Sequence, residues 1–77
     1  MNYKEIDGKL VWEITRANQA EVALIALRIA HEADILGHHP DMLIHKWNHL
    51  RIELYSHDVN AITDRDYQLA EKIEALI

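Results

Sequence analysis

Between Leu10 and Thr15 the chain alternates, with Leu10, Trp12 and Ile14 on one side and Val11, Glu13 and Thr15 on the other. A period of two marks a half-buried strand, and the Asp7-Gly8 pair before it is a turn signal. The period then lengthens. Ala20, Leu24, Leu27 and Ala30/His31 recur at helical spacing, which predicts a helix over 19–36 with these residues as its stripe. Asn18 is suited to cap its start, Glu21 stands in the capping-box position, and Gly37 falls where a left-handed residue closes a helix. Alanines at 20, 23, 26, 30 and 33 would let this helix lie close on a sheet. Past Pro40, Met42 to Trp47 reads as a second strand. A third is clearer, with Leu50, Ile52 and Leu54 facing one way and Arg51, Glu53, Tyr55 and His57 the other. Thr63-Asp64-Arg65-Asp66 has the form of a capping box opening a last helix, whose buried stripe is Leu69, Ile73 and Leu76.

The order strand, helix, strand, strand, helix predicts an α+β fold in one domain, residues 1–77: a small antiparallel β-sheet with helices packed on one face. A chain this short buries only about 60% of the surface it exposes when unfolded, so stability is often shared across subunits. Three strands leave open edges, and pairing across a two-fold axis would cover them. A homodimer or larger assembly is therefore expected.

Composition narrows the chemistry. Hydrophobic residues make up 49% of the chain, but Phe is absent and aromatics are 6%, so the core must be largely aliphatic. With no cysteine, a disulfide scaffold and a thiolate zinc site are both excluded. The longest apolar run, Val22 to Leu27, is too short to cross a membrane, and the polar N-terminus lacks a signal-peptide pattern. A formal charge of −5 opposes nucleic-acid binding, which needs a basic footprint. The expectation is a soluble, cytoplasmic protein with neither nucleic acid nor membrane as partner.

The six histidines matter by position. His38 and His39 follow the long helix, where unpaired carbonyls favour a protonated imidazole. Asp34, one turn back, is placed to hydrogen-bond one of these rings and fix its orientation. Pro40 pushes His39 to an extended conformation, and neighbours in an extended segment point to opposite sides, so the two rings should have different tasks. His57 lies at the end of the third strand, away from the aliphatic face. His45 and His49 would form a metal pair on a helix, but in a strand context they read as solvated; His31 reads as a helix-surface residue. Asp66 is accounted for by the capping box with Thr63, so both read as structural.

Asp34, His38-His39-Pro40, Trp47, His57 and Asp66 together, at their spacings, resemble the signature of the pterin-4a-carbinolamine dehydratases. The flanking text from Asn48 to Asp58 and from Thr63 to Ala70 is similar as well, and the resemblance runs from about Trp12 to the C-terminus. It implies a sheet with helices, paired into a saddle-like homodimer and often a homotetramer. It also implies an activity without metal or organic cofactor: removal of water from 4a-hydroxytetrahydropterin, the product of aromatic amino-acid hydroxylases, to give quinonoid dihydropterin and so recycle tetrahydropterin. Water leaves a carbon that bears a nitrogen, so the hydroxyl needs a proton and a ring N–H must lose one. Groups with a pKa near 7 suit both transfers. By resemblance, His38 and His57 are acid and base in an order left open, His39 binds and orients the pterin, and Asp34, Pro40 and Trp47 belong to the substrate site.

The sequence departs from the family pattern at three places. Asn60-Ala61-Ile62-Thr63 stands where Gly-Gly-Leu-Thr is usual, and since Asn tolerates positive φ while Ala does not, the turn should be rebuilt. Met42 replaces a common aromatic, and the usual N-terminal helix is largely missing. Two rival readings are a non-catalytic dimerisation or assembly module of the same fold, and a metal site built from His38, His39, His57 and Asp34.

Overall fold

The computed structural model describes residues 1–77, ordered as β1 (Lys4–Ile6), β2 (Lys9–Thr15), α1 (Gln19–Leu36), β3 (Asp41–His45), β4 (His49–Leu54) and α2 (Asp64–Leu76). Four strands form one antiparallel sheet in the order β1-β2-β4-β3. The sequence predicts three. The fourth, β1, is a three-residue strand that lacks the length to show a period, and it exists because Asp7 and Gly8 both adopt positive φ, +50° and +75°. That pair of left-handed residues is what a tight hairpin needs to match the twist of its strands.

Leu10, Trp12 and Ile14 do form the inner face of β2, and Leu50, Ile52 and Leu54 that of β4, all in one hydrophobic core with Leu69, Ala70 and Ile73 of α2. The register sets Trp12 beside Ile52 and Ile14 beside Leu50. Both helices cover this one face, and α1 carries the chain from β2 over β4 to β3. The opposite face is polar: Lys9, Glu53, Arg51 and Glu13 form a continuous run of ion pairs across β2 and β4. No helix is long and apolar enough to cross a membrane.

Two expectations need correction. The buried stripe of α1 is Val22, Ile25, Ile29 and Ala33, not Ala20, Leu24, Leu27 and Ala30/His31. The helix carries apolar residues on more than one side, so period alone does not set its phase; the β-branched Val22, Ile25 and Ile29 pack onto the sheet, while Leu27 is 66% exposed. Of the alanines, only Ala33 is fully buried. The second strand spans Asp41–His45 rather than reaching Trp47, because Lys46 and Trp47 turn back with φ of +48° and +56°. Neither is a usual turn residue, and left-handed backbone costs a non-glycine residue roughly 1–2 kcal/mol. The turn is held from outside: the Asn48 side chain donates to the Arg16 carbonyl at 2.8 Å, and the Arg16 N–H donates to the Asn48 carbonyl at 3.2 Å.

This packing separates the two stripes of α1 by stability. Ile29→Ala should cost about 2–5 kcal/mol in denaturant unfolding, and Leu27→Ala should change stability by less than about 0.5 kcal/mol; the reverse order would restore the stripe read from period alone.

Candidate functional site

The site begins at the end of α1. Gly37 adopts φ +66° and ψ +28°, its N–H donating to the Asp34 carbonyl, and the next N–H, that of His38, donates to the Ala33 carbonyl at 3.2 Å. This double closure is the Schellman arrangement, in which a glycine reverses the chain at no steric cost. It fixes the backbone of His38 to the last turn of the helix. The two histidines then diverge, as the extended segment before Pro40 requires. His38 turns inward, with its side chain 10% exposed, while His39 turns out to solvent.

Each ring has its own carboxylate. Asp34 takes His39, accepting from Nε2 at 2.8 Å on the surface. His38 is held by Asp66, 28 residues away and fully buried, through Nε2 at 2.5 Å. The other oxygen of Asp66 accepts from the Thr63 N–H at 2.8 Å and from the Ser56 hydroxyl at 2.9 Å. Asp66 therefore both closes the capping box of α2 and positions a site histidine, two tasks where the sequence suggested only the first. Burial pushes its carboxyl up, but the bonds from His38, Thr63 and Ser56 outweigh this and hold it below the usual carboxylate range. An ionised Asp66 can only accept, so Nε2 of His38 is the donor, and Nδ1 is the ring atom left to exchange a proton.

His57 reaches the same place by a different route. Strand β4 ends at Leu54, Ser56 bridges to Ala61, and the turn between them presents His57 to solvent. Asn60 takes φ +52° in that turn, so it supplies the left-handed residue that a glycine would otherwise provide. The His57 ring stacks on Tyr55 at 4.2 Å, and its Nε2 lies 3.7 Å from an Asp41 oxygen. His38, His39, Pro40 and His57 line one open cleft of about 430 Å³ with Gly37, Asp41, Asp58 and Arg65. That volume is in the range of small-molecule sites.

Asp34 meets the cleft only through His39. Trp47 does not reach it: it sits in the turn at the far end of β3 from Pro40 and is 62% exposed. Asp41, Asp58, Arg65 and Ser56 are site residues that sequence reasoning missed. Arg65 pairs with Asp58 at 2.7 Å, and this bond holds the Asp58 carboxyl low. Nothing in their spacing marks them, because the Ser56–Ala61 bridge that folds this segment back joins residues with no turn signature of their own. His45 and His49, read as solvated, instead face each other across the β3–β4 hairpin with rings 5.5 Å apart, and His45 Nε2 and His49 Nδ1 are enclosed without a hydrogen-bond partner.

The linkage of Asp66 to stability has a definite sign. Its native pKa lies below its ordinary value of 3.8, so its contribution is complete above that value and is lost as pH falls through the native one. Asp66→Asn should therefore lose about 2 kcal/mol or more at neutral pH, and the gap from wild type should narrow below about pH 4 in urea titrations run across pH. A gap that is unchanged on acidification would mean that the carboxylate charge contributes nothing.

Comparison with known proteins converges on one family. The family model described as pterin 4 alpha carbinolamine dehydratase matches residues 3–76. A protein of Saccharolobus islandicus, provisionally named a pterin-4-alpha-carbinolamine dehydratase, is 48% identical over 71 residues, which is 91% of this chain and 71% of that one. A relative of the same provisional name from Acidobacterium capsulatum is 44% identical over 65% of this chain, and the matched stretch spans 53% of that protein. Among solved structures, a transcriptional coactivator/pterin dehydratase from Brucella melitensis superposes with a TM-score of 0.88 at 21% identity, covering 97% of this chain and 81% of that one. A pterin dehydratase-like protein described as a RuBisCO assembly factor in the alpha-carboxysome gives 0.73 at 15% identity, covering 96% and 84%. These two likenesses carry the fold, and the sequence matches carry the kinship: the chain belongs to the pterin 4 alpha carbinolamine dehydratase family.

Proposed function

We propose that this protein is a 4a-hydroxytetrahydropterin dehydratase, a single catalytic domain that needs no cofactor and serves tetrahydropterin recycling beside an aromatic amino-acid hydroxylase. The observation that carries this reading is the convergence of His38, His39 and His57 on one cleft, with His38 locked against a buried carboxylate. In the reaction the bond between C4a and its hydroxyl oxygen breaks as an acid delivers a proton to the departing group. A base takes the ring N–H proton, and the electron pair left on nitrogen closes the new double bond. His38 and His57 exchange these protons, each ring being able to gain or lose one near neutral pH. His38 acts through Nδ1, because Nε2 is committed to Asp66. His39, steadied by Asp34, binds and orients the pterin beside Pro40. The protein works as a cytoplasmic homodimer or homotetramer.

One observation favours a second reading. A neighbour in fold is described as an assembly factor, so the same scaffold is compatible with a binding role. Turnover of a 4a-carbinolamine substrate separates the two. The wild-type protein should accelerate loss of water, and His38→Ala and His57→Ala should each lower kcat by about 10²–10⁴-fold with the fold intact by circular dichroism. A folded wild type that gives no acceleration would favour the assembly role, and full activity in either variant would remove that histidine from the chemistry.

A further inference from the structure

The cleft lacks a wall. None of its lining residues is hydrophobic, whereas small-molecule sites are mostly apolar with a few polar groups that fix orientation. Trp47, a large aromatic ring, is meanwhile left exposed at the other end of β3 from the cleft. Strand β3 also stands at the edge of the sheet, where outward N–H and C=O groups have no strand to pair with.

We propose that the β3 edges of two copies pair antiparallel about Leu43, so that each subunit's Trp47 completes the cleft of the other. This register uses the whole strand and suits every pair. Leu43 lies opposite the partner's Leu43, and Met42 opposite the partner's Ile44. Asp41 lies opposite the partner's His45, a carboxylate facing a ring whose Nε2 finds no hydrogen-bond partner within its own chain. Opposite charges and apolar pairs at facing positions each stabilise a sheet by roughly 0.2–1 kcal/mol. Moving the two-fold axis to Met42 or Ile44 sets leucine against a charged or polar partner and shortens the pairing. The other edge is unsuited: β1 has three residues, and a symmetric pairing sets Glu5 against the partner's Glu5. Side chains at facing positions share a face, so both helix layers lie on one side of a continuous sheet. Continued past Asp41, the register carries Pro40 and His39 to the partner's turn at Lys46 and Trp47. There the indole supplies the missing apolar surface for a flat heteroaromatic ring. This deepens the dehydratase reading by giving its site a second subunit.

The chain has no cysteine, so single thiols report the interface without background. Facing Cα atoms in an antiparallel pair lie about 4.5–5.5 Å apart, inside the range a disulfide spans. Under mild oxidation Leu43→Cys should give a disulfide-linked dimer, and Leu27→Cys on the exposed side of α1 should not. A folded Leu43→Cys protein that stays uncrosslinked, or crosslinking at Leu27→Cys in its place, would overturn the pairing. The contribution of Trp47 is tested by mixing Trp47→Ala with His39→Ala and allowing subunits to exchange. Each variant alone should be defective, with Trp47→Ala binding dihydropterin about three- to tenfold more weakly. The mixture should recover about a quarter of wild-type sites, since half the dimers are mixed and each holds one intact cleft. No recovery would show that Trp47 acts within its own chain or not at all. Counting sites by dihydropterin titration as well as by turnover keeps this result separate from failure of the dehydratase reading, which removes turnover and leaves crosslinking untouched.

Discussion

The site and the second helix hang on a single buried carboxylate. Asp66 is fully enclosed, and a charge in that position is tolerable only when its acceptor capacity is met. Here three segments meet it: His38 after α1, Ser56 after β4, and the Thr63 backbone at the start of α2. These segments have no other reason to converge. The carboxylate thus ties both ends of the catalytic region to the core, and its ionisation dictates which nitrogen of His38 is free to act.

Much of this was legible in the chain because it is written locally. The alternation of Leu10, Trp12 and Ile14 and of Leu50, Ile52 and Leu54 marks two central strands, and Asn18, Gly37 and Thr63 bound the helices. What failed to show was decided elsewhere. The phase of α1 depends on which apolar stripe fits the sheet, and a helix rich in alanine and leucine offers two. The turn at Lys46 and Trp47 depends on Asn48 reaching Arg16, a contact between residues 32 apart. Strand β1 is too short to have a period at all.

The site divides in the same way. The pairing of Asp34 with a neighbouring histidine follows from helical spacing, and His39 proves to be the ring concerned. The pairing of His38 with Asp66 does not follow, because the capping box already explained that residue and gave no cause to look further. Asp41, Asp58 and Arg65 acquire a role only through the fold, which sets the ends of β3 and β4 and the first turn of α2 around one opening.

A last consequence concerns the choice of aspartate rather than glutamate at the third position of α2. For a capping box alone, glutamate is the commoner residue, since its longer arm reaches back to the cap with ease. A designer optimising this helix in isolation would choose Asp66→Glu as an improvement. In an enclosed space already shared with Ser56, Thr63 and His38, one more methylene has no room, and the imidazole would be displaced. Side-chain length at this position is therefore set by the histidine it serves, and a change that perfects the helix would undo the site.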